Sequence, residues 1–125
     1  MTLSYLDFDY SEDDQGIGTW DAMASVTAQR LPALLAEITL VLHWAQQQFG
    51  PQRGPLDENG LWDYDLQSLA EGPAPALPLH YAEDSGQIIL TAPPDPQARY
   101  TLTFTLSGGP AFAQALQARF ALDAE

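Results

Sequence analysis

Two short segments of this chain set carboxylates at strand spacing: Leu6-Asp7-Phe8-Asp9-Tyr10 and Trp62-Asp63-Tyr64-Asp65-Leu66. Alternate residues of an extended chain share a face, so each segment places two carboxylates about 6.5–7 Å apart, with its large apolar residues on the opposite side. If both strands lie in one sheet with the aromatics inward, Asp7, Asp9, Asp63 and Asp65 share an open face. Asp21, His80 and the row Thr101, Thr103 and Thr105 then fall on that same face. Such a surface is strongly negative, and three chemistries suit it: holding a hard cation, acid–base hydrolysis by paired carboxylates, and docking of a basic partner.

Each makes a different demand. A Ca²⁺ or Mg²⁺ site needs several oxygens converging on one point, to which Glu12, Asp13 and Asp14 could add, but the twelve-residue loop with a central Gly and terminal Glu is absent. Paired-carboxylate hydrolysis needs two acids in a cleft whose desolvation separates their pKa values, and an open strand face supplies none. Docking a basic protein needs only the field and some flat area. The residues therefore point to a non-enzymatic acidic interaction module that takes no cofactor, chaperone-like or neutralising a basic partner, with Asp7, Asp9, Asp21, Asp63, Asp65 and His80 as the contact residues. The alternative is a small-ligand or divalent-metal-binding protein using the acidic loop 12–14 and the strand aspartates.

Composition removes other classes. The chain has 125 residues, 17 acidic and four basic, for a net charge of −13, and the four basic residues are Arg30, Arg53, Arg99 and Arg119. With no lysine there is no phosphate-loop Lys, Schiff base or Ser–Lys dyad. The net charge disfavours nucleic-acid phosphates and anionic lipid. With no cysteine there is no disulfide, thiolate metal site or thiol nucleophile. His80 has no second histidine at metal-ligand spacing, and His43 beside Trp44 reads as a flank residue of a helix, with Trp44 either at the core edge or an exposed anchor. Gly16-Ile17-Gly18 lacks the third glycine of a dinucleotide turn. No apolar run approaches the length of a membrane span, and residues 1–10 carry no leader pattern, so a cytoplasmic protein of bacterial type is expected.

The elements that must position these groups follow from periodicity. Residues 3–10 and 20–26 alternate as two strands of a hairpin around the acidic loop 11–18. Leu31, Leu34, Leu35, Ile38, Leu42, Ala45 and Phe49 recur at helical spacing, with Pro32 near the start and Gly50-Pro51 as the stop. After a Gly- and Pro-rich loop ending in Asp57-Glu58-Asn59-Gly60, residues 61–69 form a strand. A break at 72–78 then leads to a hairpin of 77–83 and 86–92 across Asp84-Ser85-Gly86. Residues 99–107 alternate Tyr100, Leu102, Phe104 and Leu106 with a threonine row, and a helix starts at Gly109-Pro110 with Phe112, Leu116 and Phe120 as its buried line. Residues 123–125 read as a frayed tail.

The expected fold is one α+β domain over residues 1–125, in the order β-β-α-β-β-β-β-α. It is a two-layer sandwich in which two helices cover one face of a mainly antiparallel sheet of five to six strands. Leu34, Leu35, Ile38, Leu42, Leu102, Phe104, Phe112 and Leu116 are its expected core. In size, acidity and layout the chain loosely resembles small acidic secretion chaperones and immunity proteins, which implies an escorting or neutralising role. It shares no motif with either, and it lacks the N-terminal helix of the former.

Overall fold

The computed structural model describes residues 3–50, 54, 60–69, 76–82 and 84–120. Along the chain run β1 (Asp9–Glu12), β2 (Gly18–Thr27), α1 (Leu31–Phe49), β3 (Trp62–Leu69), β4 (Leu79–Ala82), β5 (Gln87–Leu90), β6 (Arg99–Gly108) and α2 (Pro110–Phe120). The element order matches the periodicity, and every strand pairing is antiparallel. The turn at 57–59, the break at 72–75 and the tail at 123–125 lie outside the described residues.

The strands do not form a single sheet. Four of them make one sheet in the order β1-β2-β6-β3, while β4 and β5 form a separate ribbon. Prolines explain the separation: Pro78 and Pro93-Pro94 bracket the ribbon and have no N–H with which to lengthen its ladder. The expected strand over 3–10 also shortens to Asp9–Glu12. Its first half is captured by α1, where the Glu37 carboxylate accepts the backbone N–H groups of Ser4, Tyr5 and Leu6 at 2.8–2.9 Å. A segment whose donors point at one carboxylate cannot also offer them to a neighbouring strand. Leu6 is nonetheless buried, and the Phe8 ring lies 6.0 Å from that of Phe104.

β2 and β6 pair over their whole length, so their small and large residues alternate in step. Trp20, Ala22, Ala24 and Val26 on β2, with Tyr100, Leu102, Phe104 and Leu106 on β6, form a buried inner face. Both helices cover that face. α1 contributes Leu31, Leu34, Ile38, Val41, Leu42 and Ala45, and α2 contributes Phe112, Leu116 and Phe120. Of the expected core, only Leu35 is half-buried rather than buried.

Phe112 is the hub. Its ring stacks on Trp62 at 5.6 Å and meets Trp20, Phe49 and Trp44 at 6.0, 5.5 and 6.1 Å. Trp44 therefore belongs to the aromatic cluster and is not an exposed anchor, whereas His43 beside it is exposed. The Trp62 indole N–H donates to the Phe49 carbonyl at 2.8 Å, satisfying one of the acceptors that a helix leaves at its C-terminus. Room for the Phe112 ring comes from Gly108, where a Cβ would sit 2.3 Å from a ring carbon.

Two stability tests follow. Gly108→Ala should cost about 1–3 kcal/mol in the native background and much less in Phe112→Ala, a coupling that a double-mutant cycle of urea melts will measure. Glu37→Ala leaves three N–H groups without their acceptor and should cost about 1–3 kcal/mol. Amide exchange at Ser4–Leu6 should accelerate in that variant more than exchange in β6.

Candidate functional site

Among the described residues no helix lies on the outer face of the four-stranded sheet, and the register arranges what that face displays. Asp9 on β1 lies opposite Asp21 on β2, Asp21 opposite Thr105 on β6, and Thr105 opposite Asp65 on β3. Three carboxylates and one threonine thus make a single row across all four strands. Asp63, opposite Ser107, stands one alternate position along β3. Asp9, Asp21 and Asp65 are exposed, and Asp63 is half-buried.

Local hydrogen bonds hold most of these carboxylates in place. The Thr105 hydroxyl donates to Asp21 Oδ1 at 2.6 Å, and Gln67 Nε2 donates to Asp65 Oδ2 at 2.9 Å. Asp63 Oδ1 accepts the Tyr64 N–H at 2.9 Å. A shallow depression of about 270 Å³ lies over the row, lined by Asp9, Asp21, Ala22, Met23, Thr103 and Thr105. Like charges directly opposite on neighbouring strands repel by a few tenths of a kcal/mol, so the Asp9–Asp21 pair is kept at a small cost.

The far end of the face has the opposite character. Arg99 Nε donates to Ser25 Oγ at 3.0 Å and its Nη2 to the Ser25 carbonyl at 3.2 Å, while the Thr101 hydroxyl bonds Ser25 Oγ at 3.0 Å. Ser25 lies four residues along β2 from Asp21, roughly 13 Å by strand rise. That spacing exceeds the Debye length of about 8 Å at physiological salt, so this cation does little to neutralise the row. Met23, 66% exposed, stands between the two ends, and Leu69, 38% exposed, lies at the Arg99 end opposite Thr101. Sequence reading passed over these two apolar residues. Strand parity alone placed both of them outward, on the face that carries the aspartates.

Two of the expected contact residues stand elsewhere. His80 lies on β4, opposite Ile89 in the separate ribbon, and so does not share the aspartate face. Asp7 is exposed but precedes the first rung of β1, because Glu37 draws the preceding backbone toward α1. The acidic loop is also shorter than 11–18, since β1 reaches Glu12 and β2 begins at Gly18. Within it, Asp13 Oδ1 accepts the N–H groups of Gln15 and Ile17, closing a turn whose Gly16 has φ 81°. Among the described residues, no three His, Cys, Asp or Glu side chains group to hold a metal ion. No described helix is long and apolar enough to cross a membrane.

On the other side of β1 from the row, where the Tyr10 ring packs on Trp20, the Tyr10 hydroxyl donates to Glu12 Oε1 at 2.6 Å. That hydrogen bond, then burial, then the carboxylate's charge, holds the Tyr10 phenol above its ordinary 10.0. A raised pKa means that the hydrogen-bonded form is fully present at neutral pH and is lost as pH climbs past the usual phenol range. In absorbance titrations Tyr10 should ionise later than a free tyrosine, and Glu12→Gln should bring it back toward the ordinary value.

Comparison with family models, with curated proteins and with solved structures returned no match to this chain.

Proposed function

We propose that this protein is a non-enzymatic interaction module whose outer sheet face docks a basic partner, in the manner of an escorting or neutralising protein. The observation that carries the reading is the row Asp9, Asp21, Asp65, which crosses all four strands on a face left uncovered by the helices. A rigid antiparallel sheet holds carboxylates at fixed spacing. The field of such a row steers a cationic surface before contact and fixes its orientation, contributing more to association rate than to final affinity. Met23 adds apolar area beside the row, which a partner with an apolar patch next to its cations can bury. The net charge of −13 extends the attraction over the whole molecule, and the row gives it a direction.

The test separates the face from bulk charge. Asp21→Asn with Asp65→Asn should leave thermal stability within about 0.5 kcal/mol of native, as expected for exposed positions. Association with an immobilised arginine-rich peptide should slow, with a shallower salt dependence. Asp14→Asn with Asp84→Asn removes the same charge from exposed positions outside the row, and should slow association far less. Equal slowing by the two double variants would reduce the effect to net charge and overturn the docking-face reading.

A further inference from the structure

We infer that β5 is a self-pairing edge, through which two copies of this chain join antiparallel about a two-fold axis at Ile89. The inference does not rest on the acidic face. It begins from how the edges at β1 and at the start of β3 differ from that of β5. β1 is four residues long with acids at both ends, Asp9 and Glu12. On the outer side of β3, the Trp62 carbonyl accepts the Gly54 N–H at 3.0 Å and the Tyr64 N–H is taken by the Asp63 carboxylate. Charged ends and local caps of this kind are how sheets avoid unwanted pairing.

β5 has neither protection. The Thr91 N–H bonds the Pro78 carbonyl at 3.1 Å, so the pairs His80–Ile89 and Ala82–Gln87 are the hydrogen-bonded ones. The main-chain groups of Ile88 and Leu90 therefore point away from β4, and no described residue bonds them there. Residues 85–94 contain no ionisable side chain, although the chain as a whole carries −13. Two such molecules repel almost everywhere, and this is a stretch of ten residues with no charge of its own, bounded by Asp84 and Asp95. An open groove of about 410 Å³ separates Ser85–Gln87 from α1.

The register is self-complementary. Placing Ile89 on the axis sets Ile88 opposite Leu90 of the partner subunit, and the same pair recurs by symmetry. Each pair exchanges two N–H to carbonyl hydrogen bonds at the positions that β4 leaves unused. The ribbons then join into one four-stranded sheet. Ile89, 41% exposed in the single chain, meets its symmetry copy across a close, non-hydrogen-bonded pair. With so short a strand the contact is weak and opposed by the net charge.

Sedimentation velocity on the full chain, from micromolar to millimolar concentration, tests this. Dimer should grow with concentration. It should also grow as salt rises from about 0.01 M to about 1 M, over which the Debye length falls from about 30 Å to about 3 Å. Salt acts in the opposite direction on docking of a basic partner, so the two proposals fail separately. Ile89→Glu should weaken the dimer about tenfold or more, because it opposes two carboxylates across the axis. Ile89→Val should keep it, and both variants should melt near the native temperature because the side chain is exposed. Amide exchange at Ile88 and Leu90 should slow at high protein concentration while exchange in β1 does not. A chain that stays monomeric at millimolar concentration in high salt overturns the inference. So does a dimer indifferent to Ile89→Glu, or one in which Ile88 and Leu90 gain no protection.

Discussion

Everything distinctive about this fold depends on how Phe112 is seated. The ring enters the hollow over Gly108 and touches Trp20, Trp44, Phe49 and Trp62, so one side chain ties α2 to α1 and to two strands. Aromatic rings bury more area than any other side chain and add orientation-dependent attraction. Concentrating them on the inner face commits both helices to that face. Among the described residues no helix then covers the outer face. The cluster has a cost as well: the Trp20 indole N–H is buried without a partner among the described residues, whereas that of Trp62 closes the end of α1.

Charge is distributed in keeping with that division. The inner face is built almost wholly of apolar and aromatic side chains, while the outer face runs from an aspartate row at one end to Arg99 at the other. An excess of acids makes copies of the molecule repel one another. On the proposed reading, two consequences are opposite in sign. A cationic surface would be drawn to the aspartate end of the sheet, and a second copy of the chain would be held off except where the sequence is neutral. β5 lies in such a stretch, and its ribbon stands apart from the main sheet because prolines bound it on both sides.

Much of this was legible in the chain itself. The stripe Leu34, Ile38, Leu42 named the buried side of α1, and the strict alternation of Tyr100 to Leu106 against Thr101 to Thr105 named the two faces of β6. Those readings succeed because side-chain direction follows directly from helical and strand periods. The aspartates at 9, 21, 63 and 65 were placed on the outer side by the same rule. Thr101 departs from its neighbours, being buried beside Ser25 at the Arg99 end. Alternation specifies a face but not how crowded that face is.

The sequence by itself determined element order, the antiparallel character of the pairing and which residues are inward, because these are local consequences of period, turn chemistry and proline. Tertiary structure decided which strands became neighbours. The row Asp9–Asp21–Thr105–Asp65 exists only because β6, last in the chain, inserts between β2 and β3, and no local signal states that adjacency. It also moved His80 into a different sheet and turned residues 4–6 away from the ladder toward Glu37. The alternating pattern at 3–10 is compatible with a strand. A single carboxylate on a distant helix offered those N–H groups a competing acceptor, and such competition is settled by which partners the assembled fold brings within hydrogen-bond reach.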